Sequence, residues 1–392
     1  MDDGVKKKVL FCATIDYHFK AFHLPYLKWF KDQGWEVHVA AAGELKLPFV
    51  DKKFNIPVQR SPFNKMNIKA YKEFKKIIGD NSYSIIHCHT PMGGVLTRLA
   101  SKNARKQGTK VIYTVHGFHF CKGAPLINWL LYYPIEKVLS SYTDCLITIN
   151  KEDYLLATTH RFKAKSIKLV HGVGVNIDNF KPVVQSEKFS LRESLGYKPD
   201  DFLMFYAAEF NKNKNQKLLI ESLALIKDEV KNARLLLAGD GPLLNKCKEI
   251  ARALDVNDRI DFLGYRSDIE NLLKISDVSV ASSLREGLPV NIMEAMSSGL
   301  PVIATINRGH SELIDNEQNG YVIPAKSSKN FALRILEVYK SKELCKKLGL
   351  AGLNKMKNYS ISKVILELKD IYSVYMGEDT NETQSKYNRS YI

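Results

Sequence analysis

The chain has 392 residues, 45% hydrophobic and 26% charged; this composition excludes a disordered or low-complexity chain, and the length exceeds one ordinary core, so two domains are expected. No run approaches the roughly 20 apolar residues of a membrane-spanning helix, which argues against an integral helical membrane protein. The net charge of +16 is uneven, residues 1–180 carrying 27 Lys and Arg against 14 Asp and Glu and residues 181–392 carrying 31 against 28, so the first half expects an anionic partner: a membrane surface, a phosphorylated substrate or nucleic acid.

Residues 8–13 read as a first strand, and the short apolar run that holds them is too brief and too soon followed by Asp16-Tyr17-His18 for a leader peptide. A helix over 24–33 follows, stopped by Gly34, and then strands at 35–41 and 83–88. Between them, 65–78 has Tyr71, Phe74, Ile77 and Ile78 on one face and Lys65, Lys69, Lys72, Lys75 and Lys76 largely on others. That is a basic amphipathic helix, suited to an anionic membrane or to packing on its own domain. A helix over 94–106 and strands at 110–115, 146–150 and 167–170 complete the first half. The pattern restarts after Lys181-Pro182. Strands are expected at 202–207, 234–238, 260–263, 278–281 and 302–304, with helices at 216–228, 243–254 and 292–298. Short apolar runs separated by helices indicate parallel sheets covered on both faces. The fold class is α/β, two Rossmann-like domains facing a cleft, with boundaries at 1–185 and 186–360. A helix over 361–377 is expected to pack back on the first domain, and 378–392 is a polar tail. The six scattered cysteines contain no C-x-x-C pair and read as buried thiols of a cytoplasmic protein.

The segment with the most chemistry is EGLPVNIMEAMSSGLPVIA, Glu286 to Ala304. Gly287 lets backbone N–H groups approach an anion, and the following helix turns its positive end toward it. Glu286 can accept from sugar hydroxyls, and Glu294, about two turns on, can accept both hydroxyls of a ribose. Lys214 lies in a polar loop after the 202–207 strand, and Gly239-Asp240-Gly241-Pro242 forms a tight turn after the next one.

These segments resemble those of glycosyltransferase family 4, retaining enzymes of the GT-B fold, in the subgroup of bacterial capsular and exopolysaccharide synthesis. The resemblance runs from Lys7 to Tyr375 and is densest over 202–304. It implies a nucleotide-sugar donor and a glycan or polyprenyl-diphosphate-linked sugar acceptor, with no cofactor and no metal. The implied catalytic residues are His116 (in Thr114-Val115-His116-Gly117), Lys214 and Glu286. The implied donor-binding residues are Gly239, Gly241, Tyr265, Arg266, Gly287, Leu288, Pro289 and Glu294. Two departures stand out. Glu209 occupies the position of a phosphate-binding arginine, leaving Lys212 or Arg285 as substitutes, and the first loop lacks the usual glycine pair. Asp16, His18, Lys20 and His23 in that loop become acceptor-side residues, at the mouth of the cleft. His119, His87 and His89 compete with His116. Alternation puts His87 and His89 on one face, but two histidines without a carboxylate or cysteines make a thin metal site. Peripheral contact with an anionic membrane is expected, and nucleic acid is not, since no reading module is present. The other functions compatible with the chain are a nucleotide-sugar epimerase of the same fold and, from another class, a basic nucleic-acid-binding protein.

Overall fold

In both halves of the chain most strands are buried along nearly their whole length, and a strand hidden on both faces needs helices on both sides of its sheet. A computed structural model describes residues 6–376. The expected tail at 378–392 lies outside the described residues. The described chain falls into two units, residues 6–173 with 364–376, and residues 174–363.

The first unit holds seven strands: β1 (Lys8–Ile15), β2 (Glu36–Ala42), β3 (Lys52–Asn55), β4 (Ile85–His89), β5 (Lys110–Val115), β6 (Cys145–Thr148) and β7 (Ser166–Leu169). They form one parallel sheet in the order β3-β2-β1-β4-β5-β6-β7. Phe11 pairs with Val39 on one side and His87 on the other. The second unit holds β8 (Phe202–Ala207), β9 (Ala233–Ala238), β10 (Ile260–Gly264), β11 (Val278–Ala281), β12 (Val302–Thr305) and β13 (Tyr321–Ile323), in the order β10-β9-β8-β11-β12-β13. Chain order reverses at β1 in one sheet and at β8 in the other. The carboxyl ends beside those strands, β1/β4 and β8/β11, are the switch points at which open α/β sheets bind ligands.

The chain leaves the first unit at Val173, earlier than the expected 185. Val175 is 2% exposed in the second core, and its N–H donates to Tyr359 O at 2.9 Å. The Gln185–Ser194 helix is pinned to the same unit by Arg192, which donates to Ile275 O and to Asp277 Oδ2, both at 2.7 Å. The last helix, Ile361–Met376, carries Glu367 and Tyr372 into the first unit. Glu367 accepts from the backbone N–H of His171 at 3.0 Å, and the Tyr372 hydroxyl lies 2.6 Å from His87 Nδ1.

β3 has no counterpart in the sequence reading because it is a half-exposed edge strand, Lys-Lys-Phe-Asn, with no apolar alternation. The Leu126–Leu139 helix carries no helical stripe in the sequence either; it is apolar on nearly every side and contains Pro134. The expected helix at 94–106 is two, Pro91–Ala100 and Lys102–Lys106. All six cysteines are free, five of them buried.

Candidate functional site

At the β8/β11 switch point two loops are sewn together. Asn213 Nδ2 donates to Arg285 O at 2.9 Å, Leu284 N to Asn213 O at 2.7 Å, and Ser282 Oγ to Lys214 O at 2.7 Å. Asn215, at φ 52°, turns the first loop into its helix in the left-handed conformation that Asn tolerates. Together these bonds bring the Lys214 ammonium to 2.6 Å from Glu286 Oε1, with both side chains mostly buried. Two candidates from segments 72 residues apart thus form one ion pair. Its supports were not singled out from sequence: Arg308 Nε donates to Glu286 O at 3.1 Å, and Gly309 lies so close that a Cβ there would sit 2.8 Å from Glu286 Cβ. The signal was present as Asn307-Arg308-Gly309-His310, a short polar run following β12. Lys212 and Arg285, the proposed substitutes for the missing arginine, are both exposed, and Glu209 accepts from Asn211 Nδ2 at 3.0 Å.

Gly287, Leu288 and Pro289 lead into the Val290–Ser297 helix, whose first-turn N–H groups follow directly. On that helix, burial and then the charge of Glu270 push Glu294 up to about 7. Among the described residues no protein donor reaches its carboxylate. Gly239 and Gly241 have φ of 141° and 149°. A Cβ on Gly239 would overlap Ala208 O, and one on Gly241 would sit 2.6 Å from Phe210 O. The turn is therefore glycine because the 208–210 backbone passes against it. Tyr265 is 78% exposed. The guanidinium of Arg266, the residue expected at the base, is held bidentate by Asp268 at 2.7 and 2.6 Å.

In the first unit the acceptor-side loop divides. Lys20 is exposed. Asp16 is only 4% exposed and is taken by the Lys53 ammonium and by Leu45 N–H at 2.8 Å, so it holds the 43–45 turn and does not face an acceptor. His23 is likewise removed from solvent, at 4% exposure. It packs with His18, His89 and His116 at the carboxyl ends of β1, β4 and β5. Burial, then the neighbouring imidazoles, hold His18, His23 and His89 well below the usual histidine range; burial alone brings His116 to about 4. These rings are neutral at neutral pH. His87 lies on the face of His89 as alternation required, with ring centroids 4.1 Å apart, but its nitrogens already face Tyr372 and Thr114 hydroxyls at 2.6 and 2.8 Å. A cavity of about 1030 Å³ opens beside His18 and His116. Phe63, Ile68, Leu99, Leu131 and Ile135 give it an apolar side.

Two parallel Rossmann-like sheets, with a cation, carboxylates and a helix N-terminus gathered at the second switch point, define a GT-B glycosyltransferase architecture. The family described as "Glycosyl transferases group 1" matches residues 187–355, and "Glycosyl transferase 4-like" matches residues 8–150. EpsD of Bacillus subtilis (strain 168), a protein named as a glycosyltransferase, is 53% identical over 376 residues, 96% of this chain and 99% of that one. The UDP-Gal:alpha-D-GlcNAc-diphosphoundecaprenol alpha-1,3-galactosyltransferase of Escherichia coli is 30% identical, over 78% of this chain and 81% of its own. The chain therefore belongs to the glycosyltransferases of this family. Anabaena HepE, solved with UDP and glucose, shares the fold at a TM-score of 0.76 and 18% identity, over 94% of this chain and 100% of its own. No helix among the described residues is long and apolar enough to cross a membrane.

Proposed function

We propose that the protein moves a sugar from a UDP-sugar to a polyprenyl-diphosphate-linked acceptor, with retention at the anomeric carbon, in the synthesis of a bacterial surface polysaccharide. The observation that carries this reading is the Lys214–Glu286 pair at the β8/β11 switch point. Diphosphate and sugar hydroxyls need a cation and a carboxylate side by side. The named chemistry of the E. coli relative, with its UDP-Gal donor and diphosphoundecaprenol acceptor, supports the substrate classes. So does the UDP held by the Anabaena protein.

In this reading the second domain holds the donor. Glu294 accepts from the ribose, Tyr265 lies beside the base, and Gly287, Leu288 and Pro289 lead the diphosphate onto the N–H groups of the Val290–Ser297 helix. Lys214 turns from Glu286 to the phosphate oxygens as negative charge builds on them. Glu286 keeps the sugar through its hydroxyls. The acceptor oxygen attacks from the face the diphosphate leaves, and its proton passes to a donor phosphate oxygen. His116, neutral, meets the sugar by hydrogen bonding and not as an acid. Lys214 and the helix N–H groups supply the positive charge at the leaving group, so the transfer calls for no metal there. Product from an α-linked UDP-hexose and a polyprenyl-diphosphate-linked acceptor is expected to carry an α linkage by NMR; a β linkage overturns retention.

The first domain presents the acceptor, with the apolar side of its cavity suited to a polyprenyl chain. Phe74 and Ile78 are buried on the Met66–Asp80 helix while Lys69, Lys72 and Lys76 are exposed. The Leu126–Leu139 helix adds Leu126 and Leu130, 80% and 71% exposed. A basic helix and bare leucines on one domain suit an anionic bilayer. Replacing the three lysines by Gln is expected to weaken binding to anionic vesicles, each lysine near such a surface being worth about 1 kcal/mol. Unchanged binding would leave them as a solvated face.

A further inference from the structure

In the sequence only His87 and His89 suggest a metal-binding pair. The fold assembles a different set. His18 and His23 follow β1, His89 ends β4 and His116 follows β5, and one ring nitrogen from each lies within 4.8 Å of all the others. We propose that these four histidines bind one divalent transition-metal ion of the zinc class.

The hydrogen-bond inventory of the cluster is the first argument. His89 Nδ1 lies 3.2 Å from His23 Nε2 and 3.4 Å from His116 Nε2. A ring nitrogen carries one proton or one lone pair, so it satisfies one of these neighbours and not both. His18 Nε2 is buried in the cluster with no partner at all. Four imidazoles packed without a carboxylate among them are therefore poorly matched to one another through protons. A cation between them accepts a lone pair from every ring at once.

Geometry is the second argument. Zinc–imidazole bonds of about 2.0–2.1 Å in a tetrahedron place ligand nitrogens roughly 3.3 Å apart. Two of the six separations, 3.2 and 3.4 Å, bracket that edge, and all six lie within 4.8 Å. The ligand chemistry is the third. An all-nitrogen set suits Zn²⁺, Co²⁺, Ni²⁺ or Cu²⁺ and is wrong for Mg²⁺ and Ca²⁺, which take oxygen. An entry path exists, because His18 and His116 also line the cavity of about 1030 Å³. The ion would tie the Tyr17–Phe22 helix to the ends of β4 and β5, and His116 would bind it through Nε2 and keep Nδ1 for a sugar hydroxyl. In the proposed transfer the leaving group is met by Lys214 and the helix N–H groups, and His116 serves only through Nδ1, so no bond is made or broken on this ion.

The test is a titration of metal-free full-length protein with Co²⁺ at neutral pH, followed by the visible absorption of tetrahedral cobalt, then by displacement with Zn²⁺. One equivalent of Co²⁺ is expected to give the band, Zn²⁺ to abolish it, and Mg²⁺ to leave it. His89→Gln and His18→Gln are each expected to weaken binding on the order of a hundredfold. His160→Gln, at an exposed ring outside the cluster, is expected to bind as the parent does. His18 is half-buried, so its variant keeps the test open if His89→Gln fails to fold by circular dichroism. A folded parent that gives no tetrahedral band overturns the proposal. So does a band of equal affinity in folded His18→Gln.

Discussion

Lys214→Ala is expected to lower kcat by about a hundredfold or more, the scale seen on deleting one preorganised donor aimed at developing charge. Donor affinity is expected to fall much less. The reason lies in the partner that Lys214 already has. In the structure its ammonium is 2.6 Å from Glu286 Oε1, so a donor phosphate in the ground state competes with a carboxylate for it. As the glycosidic bond breaks, charge concentrates on the leaving oxygen, and the balance moves toward the phosphate. An interaction that strengthens only on the way to the transition state appears in kcat. Glu209 stands where a second cation would be expected, and Lys212 and Arg285 are solvent-facing, which leaves Lys214 as the best-placed lysine of its loop. Saturation kinetics with both substrates varied will separate the two effects. A variant with the parental kcat and a raised KM would mean uniform binding, and the role assigned to Lys214 would be lost.

The second large effect concerns stability. Arg98→Met is expected to destabilise the first domain by about 3–5 kcal/mol, the usual cost of stranding one member of a buried ion pair. Arg98 is 1% exposed; it donates from Nη2 to Glu136 Oε1 at 3.0 Å and from Nε to Gly94 O at 2.9 Å. Its guanidinium lies 3.9 Å above the Tyr113 ring. Removing it leaves the Glu136 carboxylate, 8% exposed, without its counter-charge. Calorimetry is expected to show the first transition falling by on the order of 10 °C. Adding Glu136→Leu should restore much of the loss, because a buried pair replaced by apolar groups is often neutral. A single variant that melts with the parent would show that the pair carries no such load.

Chemistry held on one local segment was legible in the sequence. The spacing of Glu286 and Glu294 implies a loop residue followed by one on the next helix, which is how they lie, and Gly239 and Gly241 announce a turn. The parallel sheets were legible because β1, β4, β5, β8 and β11 are apolar runs that only a doubly covered sheet accommodates. Chemistry assembled from several strand ends was not. The four clustered histidines come from three separate strand ends, and nothing local to His23 says that β4 will bring His89 beside it. Strand alternation pairs His87 with His89, which holds as a statement of face, but it carries no sign of Tyr372, which reaches His87 from the last helix. Asp16 reads as an acceptor group in the sequence because its partner Lys53 sits on β3, a strand whose Lys-Lys start carries no strand signal. The Arg266–Asp268 pair, by contrast, is two residues apart and local enough to follow from the sequence. The Leu126–Leu139 helix escaped because uniform apolarity has no 3.6-residue stripe, and Pro134 reads as a breaker.

The central claim is that the second domain holds a nucleoside diphosphate through Glu294, and calorimetric titration with UDP, with ADP and GDP alongside, tests it most directly. The ribose hydroxyls donate, so the carboxylate must be ionised to accept both. Its acid form is favoured below about 7. UDP is therefore expected to bind well about one pH unit above that value and up to about tenfold more weakly one unit below it. Glu294→Ala is expected to raise the dissociation constant about tenfold or more at the higher pH, since a hydrogen bond to a charged group is worth roughly 1.5–3 kcal/mol. The same variant should lose most of the pH dependence. No heat with any of the three nucleotides, or parental affinity in the folded Glu294→Ala variant, would contradict the account.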